Sequence, residues 1–382
     1  MRKSGVLLPL LWAFCALAHA QLSVMVAVEP TSKKDGFLLL RATVEKGLGQ
    51  ATGQPVTLTT SEDLTDVMRS TRSGGYDIYI APAQVAASAL LRGYELIGST
   101  EPSEQYVLVG RQHHAAADAV KGGRLYLPQQ DSIYTYMARG MLNASGLSFK
   151  DMGAVEYARY PLAGLTAVNL GLYDATVVRK SEWDASGKSQ ETTAKVLASS
   201  GFVPGGFSVV IRKSLPPEMR AKAAKWLSTS AATAGLKPLS QHAEMAAYKS
   251  VAELGFFTPT HLPGATVVSA KEVQELVTQG VVLVDTRTEK EFKAKHVPGA
   301  VFVPYHEKSL KDTAFDEKLD AFPGLEKLDR NRPVIFACNG AECWKSYKAS
   351  RVAMLRGFKR VYWFRGGLPE WEASGLQALR QD

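Results

Sequence analysis

The chain has 382 residues, 46% hydrophobic and 21% charged, with 32 Gly and 18 Pro. At about 150 residues per domain this suggests two or three domains and excludes a single small module, a disordered chain and a collagen-like repeat. The formal charge is +8, but Lys and Arg alternate with Asp and Glu, as in Lys290-Glu291-Phe292-Lys293, so no focused basic tract for nucleic acid is present.

Arg2 and Lys3 precede an apolar run from Val6 to Ala18, and Ala18-His19-Ala20 supplies a small-x-small cleavage pattern. A run of about 13 apolar residues is shorter than the roughly 20 that a spanning helix needs. Residues 1–20 are therefore expected to be a cleaved export signal and the mature chain to be periplasmic. Bulky Phe14 before Cys15 argues against a lipid anchor. No later segment reaches about 18 uninterrupted apolar residues. Past the signal two cysteines remain, Cys338 and Cys343. They are too few and too close for a disulfide-braced scaffold, and with no nearby His they do not make a zinc site. No cofactor and no metal are expected.

From Leu22 an apolar strand leads through Glu29-Pro30-Thr31-Ser32 into helical spacing over 38–48. Val56 to Thr60, Tyr76 to Pro82, Leu125 to Pro128 and Leu172 to Val178 read as further strands alternating with helices, the pattern of a parallel α/β layer. Leu215 to Leu254 reads as helical and polar, starting at Pro216-Pro217-Glu218. Two prolines and a glycine from Phe256 to Gly264 mark a boundary. The expected division is 1–20 signal, 21–255 first domain, 256–265 linker and 266–382 second domain.

Gly75-Tyr76-Asp77-Ile78 leading to Ala81-Pro82, the Arg92-Gly93-Tyr94 turn, Gly123-Arg124-Leu125 and Gly171-Leu172-Tyr173-Asp174-Ala175 together resemble the two-lobed type II periplasmic solute-binding fold, in its phosphate/phosphonate-binding branch. The resemblance implies a small anionic solute in a cleft between lobes and a membrane transporter as partner. Helix N-termini there offer N–H groups to an anion. Ser132, Tyr134, Thr135 and Thr31 occupy the matching loops, and Arg159 and Tyr160 are further candidates. Asp131 departs from the family's Ser/Thr-rich run and would repel a dianion; Ser132 reads equally as a helix N-cap.

In the second domain, Val267 to Gly280 reads as a helix and Val281 to Val284 as a buried strand delivering Asp285, Thr286 and Arg287. Glu291-Phe292 and His296-Val297-Pro298-Gly299-Ala300 follow. Val334 to Ala337 is a strand ending at Cys338, and Val361 to Phe364 leads to Gly366-Gly367 and Trp371. In order and spacing these resemble a rhodanese-like domain. The likeness implies a five-stranded parallel sheet flanked by helices and a cysteine that carries sulfur as a persulfide.

The residues themselves agree with that chemistry. A thiol between a strand end and a helix start faces loop N–H groups that stabilise a thiolate or persulfide anion. Cys338 is the expected nucleophile, in the loop Asn339, Gly340, Ala341, Glu342, Cys343, Trp344. Lys345 and Ser346 at its far end are candidates to hold an anionic donor. Asp285 and Arg287 read as a structural pair under the loop. This loop is roughly two residues longer than the family's usual one, Glu342 opposes small dianions, and Cys343 is a resolving thiol, the carrier itself or a buried packing residue.

The leading expectation is an exported sulfurtransferase with a small sulfur-containing donor, a thiophilic acceptor and a solute-binding domain. Two alternatives stay open: a binding protein whose rhodanese unit does not turn over, and a thiol-disulfide oxidoreductase using both loop cysteines.

Overall fold

The computed structural model describes residues 21–29, 40–99, 103–186, 193–229, 236–238 and 245–381. The expected signal, residues 1–20, and the candidate Thr31 lie outside them. Alternation of buried faces fixes the first sheet. β1 (Leu22–Ala27) sends Leu22, Val24 and Val26 into a core with Ile78, Ile80, Val209 and Ile211. Met25 and Ala27 enter another core with Tyr79 and Ala81. A strand buried on both faces belongs inside a sheet. β1 accordingly lies between parallel neighbours β2 (Val56–Ser61) and β3 (Ile78–Ala81). Beyond β3 come antiparallel β12 (Ser208–Arg212), then β4 (Tyr94–Ser99) and β13 (Lys237–Pro238).

The second lobe is a sheet in the order β10 (Ala194–Ser199), β6 (Tyr106–Arg111), β9 (Ala175–Arg179), β7 (Arg124–Pro128), β8 (Ala154–Ala158). Two crossings join the lobes, and they pair as a ribbon: β5 (Ser103–Glu104) runs antiparallel to β11 (Val203–Pro204). The third sheet is wholly parallel, in the order β14 (Ala265–Val267), β18 (Val361–Phe364), β17 (Val334–Ala337), β15 (Val282–Asp285), β16 (Ala300–Phe302). Helices Ala270–Thr278 and Gly367–Ala373 cover one face, and Trp344–Leu355 packs on the other. The architecture is α/β throughout, a two-lobed binding-protein fold followed by a five-stranded parallel sheet.

Three expectations shift in detail. Ala265–Val267 is an edge strand paired with β18, and the helix begins only after Ser269, whose hydroxyl and the Glu272 carboxylate form a reciprocal cap. The segment read as helical from Leu215 to Leu254 contains helices Pro217–Thr229 and Met245–Glu253 with β13 between them, because buried Leu236 and pairing to β4 hold that stretch extended. The first helical stretch includes a π-helical segment, Thr43–Leu48, that continues as Gly49–Thr52.

The two domains share one core. Trp344, Tyr347 and Trp363 of the second cluster with Tyr136, Val251 and Ala252 of the first and with Phe256 of the connecting segment. The Trp344 indole Nε1 donates to the Phe256 carbonyl at 2.6 Å. Arg365 donates to the carbonyls of Thr258 and Pro259, and Arg139 to those of Leu254 and Gly255. The connecting segment is thus held from both sides. A shared core couples unfolding, so calorimetry is expected to show a single transition for the intact chain. Phe256→Ala, a truncation worth about 3–5 kcal/mol, is expected to lower that transition and split it in two; two transitions in the unaltered chain would contradict the coupling.

Candidate functional site

β17 is the central strand of the third sheet, and Cys338 follows its last residue. Open parallel sheets present their sites at this carboxyl edge. The residues under the loop form one chain of hydrogen bonds. Arg287, buried, grips Asp285 with Nε and Nη2 at 2.9 and 2.6 Å, and its Nη1 donates to Asn339 Oδ1 at 2.9 Å. Asn339 Nδ2 donates in turn to Glu291 Oε1 at 2.6 Å. Thr286 donates through both N and Oγ1 to the Ala337 carbonyl. The residues flanking Cys338 are therefore fixed by side chains from β15 and the helix that follows it.

Glycines make the turn. Gly340 has φ +85°, a left-handed conformation that a side chain opposes. A β-carbon at Gly367 would strike the Cys338 carbonyl and come within 2.8 Å of the Gly340 amide. The Gly366-Gly367 pair thus lets the loop lie on its backbone, where Leu368 N–H donates to the Cys338 carbonyl at 3.1 Å.

Cys338 and Cys343 are joined as a disulfide across a Cα–Cα distance of 6.1 Å, inside the usual range. Both are buried. Cys343 is also the N-cap of the Trp344–Leu355 helix and contributes no side-chain cap, so the first helical N–H groups stay available. Among the described residues the amides of Asn339, Gly340, Ala341 and Glu342 donate to no backbone carbonyl either. The Cys343 N–H is spent on the Gly340 carbonyl, and the Ala341 carbonyl accepts from Thr258.

Trp344, Lys345 and Ser346 make the first turn of that helix. Ser346 Oγ accepts from the Trp363 indole at 3.1 Å, on the core side. Lys345 is buried and in no ion pair among the described residues. Burial chiefly, with nearby Arg69, lowers its pKa. Glu342 is buried too; its carboxylate pairs with Arg92 and lies 3.7 Å from Arg72, both from the first domain. His296 stacks on Phe292 and bonds its carbonyl through Nδ1.

The first domain's candidates divide into two groups. Ser132, Tyr134 and Thr135 meet at the start of the Ile133–Ala144 helix, all buried. Ser132 Oγ caps it by accepting from Thr135 N–H at 3.2 Å, and both hydroxyls donate to the Pro128 carbonyl. The Tyr134 hydroxyl donates to Glu182. Arg159 pairs with Glu62, and the exposed Tyr160 lies beneath its guanidinium. Both are exposed.

The acceptor position at that helix start is already filled from within. Glu29, at the end of β1 in the other lobe, accepts from Ile133 N–H at 2.8 Å and from Gln84 Nε2 at 3.4 Å, with Arg179 at 3.9 Å. Asp131 is neutralised by Lys311 of the second domain at 2.6 Å. Glu29 as a latch, Lys311, Arg72 and Arg92 were not recognised as site residues from the sequence. Their partners lie 104, 180 and 250 positions away for Glu29, Lys311 and Arg92, so local pattern carries no signal for them. Among the described residues no group of three or more His, Cys, Asp or Glu could hold a metal, and no helix is long and apolar enough to cross a membrane.

Residues 26–253 match the family described as ABC transporter, phosphonate, periplasmic substrate-binding protein, and residues 269–374 match the rhodanese-like domain. The rhodanese-like domain-containing protein 14 of Arabidopsis thaliana is 30% identical over 28% of this chain and 62% of its own length. The thiosulfate:glutathione sulfurtransferase of Saccharomyces cerevisiae is 27% identical over 26% of this chain and 70% of its own. The chain spans 34% to 62% of the length of the first curated relatives it matches. Among solved structures, PhnD1 of Prochlorococcus marinus in complex with methylphosphonate covers 62% of this chain and 97% of its own, at 14% identity and a TM-score of 0.48.

Glu29 gives a pH test of the latch. Burial, the largest influence, raises its pKa above the usual 4.5, against the pull of Arg179. An acid whose folded pKa is raised contributes stability below its unfolded pKa and loses it as pH rises through the folded value. Compared with Glu29→Gln by urea denaturation, the unaltered protein is expected to lose ground as pH rises above 4.5; a difference that is flat or grows in its favour would contradict the assignment.

Proposed function

Because the chain belongs to the ABC-transporter phosphonate periplasmic substrate-binding family and carries a rhodanese-like domain behind it, we propose that it is an exported sulfurtransferase with Cys338 as sulfur carrier. The observation that supports this is the place of Cys338: at the carboxyl end of the central strand, followed by the Asn339 to Glu342 amides, which donate to no backbone carbonyl among the described residues, and by a helix start with no side-chain cap. Such N–H groups favour a thiolate and a persulfide anion.

In the proposed cycle the Cys338 thiolate attacks the outer sulfur of a sulfane donor such as thiosulfate. Its S–S bond breaks, sulfite leaves with the bonding pair, and Cys338 holds the extra sulfur. A thiophilic acceptor then takes that sulfur and returns the thiolate, a two-step covalent cycle. Cys343 supplies another exit: its thiolate attacks Cys338 Sγ, expels hydrosulfide and leaves the Cys338–Cys343 disulfide, which two equivalents of an external thiol reset. Lys345, buried beside the loop, supplies positive charge for an anionic donor. The first domain, by family likeness, takes a small anionic solute and works with a membrane transporter; a solute at the Ile133–Ala144 helix start would displace the Glu29 carboxylate.

A second reading, thiol-disulfide exchange as the main activity, is favoured by the Cys338–Cys343 bond itself. One experiment separates the two. Reduced protein incubated with thiosulfate and weighed intact is expected to gain one sulfur, about 32 Da for a persulfide, and Cys338→Ser is expected to abolish the gain. A gain that survives Cys338→Ser and is lost in Cys343→Ser moves the carrier to Cys343. No gain, with a pair that cycles freely with thiols, leaves the exchange reading.

A further inference from the structure

The cysteine loop carries a carboxylate where sulfur anions would have to form. Glu342 precedes Cys343, so with consecutive Cα atoms 3.8 Å apart its carboxylate lies within about 10 Å of the Cys343 sulfur, to which the Cys338 sulfur is bonded. A bare buried carboxylate at that range would raise the thiol pKa values and repel a persulfide. The second domain offers it no partner cation among the described residues. The first domain offers two: Arg92, on the turn after the Ala83–Leu90 helix, pairs directly with Glu342 Oε2, and Arg72, at the end of the Leu64–Ser73 helix, stands 3.7 Å away. Arg92 is aimed by two bonds from Nη1, to the Ser88 carbonyl at 2.7 Å and the Ser88 hydroxyl at 3.0 Å. The side chains of Arg72 and Glu342 are each 5% exposed, so water screens little of this.

We infer that Arg72 and Arg92 are positioning residues of the cysteine site: they hold the loop through Glu342 and overcompensate its charge, so the site is completed by the solute-binding domain. Two guanidinium groups against one carboxylate leave one net positive charge beside the loop. The other ionic groups around it are largely paired among themselves. Arg287 is paired with Asp285, and Arg69 with Asp66 and Glu291. Lys345 adds a further cation. Arg365, bonded to the Thr258 and Pro259 carbonyls, is a further cation on the connecting segment that meets the loop at Ala341; the hydroxyl of Tyr136 also lies near Arg72 and Glu342, and burial keeps it neutral by raising its pKa. The sulfur chemistry proposed for the second domain would therefore depend on a docked first domain without any solute being bound.

The inference rests on the loop being the reactive site, but its test reads the cysteine pair directly and needs no sulfur transfer. Full-length protein carrying Cys15→Ala is equilibrated at about pH 8, near the thiol pKa, in glutathione buffers. Two glutathione thiols reduce the bond, giving two cysteine thiols and one glutathione disulfide. Acid quench, thiol labelling and intact mass count the two forms; dithiothreitol replaces glutathione if the latter leaves the pair oxidised.

A net positive field favours the thiolates. Arg92→Met is therefore expected to raise the ratio of disulfide to dithiol by about three- to tenfold, as for one unit charge at intermediate dielectric. Arg72→Met is expected to do so less, Glu342→Gln to lower the ratio, and Arg92→Met with Glu342→Gln to return near the starting value. Arg92→Lys is expected to stay close to unaltered protein. A purely mechanical contact would shift Arg92→Met and Glu342→Gln the same way. That result, or no shift in either, overturns the inference. If Arg92→Met does not fold, Arg72→Met against Glu342→Gln decides in the same manner. Failure of the thiosulfate mass gain would count against sulfur transfer alone.

Discussion

The two domains of this molecule are tied together by a buried ionic loop that one domain cannot satisfy alone. A carboxylate removed from water needs a partner, and leaving it unpaired in the interior costs about 3–5 kcal/mol. Glu342 finds its cations in the first domain, Asp131 finds its cation, Lys311, in the second, and the Trp344 indole finds its acceptor in the connecting segment. These reciprocal debts lock the domains in one arrangement. Their apolar counterpart is the continuous core from Tyr136 through Phe256 to Trp363.

The same logic explains the closed first domain. Its lobes meet through Glu29 at the Ile133 amide, Gln84 at the Asp131 carbonyl, and Gln129 bonded to the Leu64 amide and the Glu62 carbonyl. A helix start with free N–H groups needs an acceptor, and here the chain supplies one itself, the Glu29 carboxyl. The cleft and the cysteine loop are thus treated in opposite ways. One helix start is occupied by a resident carboxylate; the other is left to the cysteines.

The sequence makes one class of feature visible and hides another. The strand ending at Cys338 and the ionic pair under the loop were legible because each depends on residues close in the chain: a continuous apolar run and a charged pair two positions apart; the five-stranded parallel sheet and the place of Gly366-Gly367 followed from the rhodanese-like resemblance. Asp285 with Arg287 is such a pair, and it is found bonded. The edge strand Ala265–Val267 was missed, its last residue taken as the start of the helix, because three residues cannot reveal a period; only pairing with β18 fixes it. The Glu342 contact with Arg92 spans 250 positions, and an acidic residue in a loop otherwise reads as solvated. Ser132 shows the limit in another way: one hydroxyl serves a cap or a ligand with identical local sequence, and only the structure turns it onto the Thr135 amide.

The central claim is that the backbone amides around residue 338 cradle a sulfur anion. It is tested most directly by a crystal structure of reduced protein soaked in thiosulfate. The account predicts an additional sulfur atom bonded to Cys338 Sγ, with N–H groups of residues 339–342 and of the following helix start directed at it. Extra density on Cys343 instead, or a Cys338 side chain enclosed by aliphatic groups with those amides turned away, would contradict it.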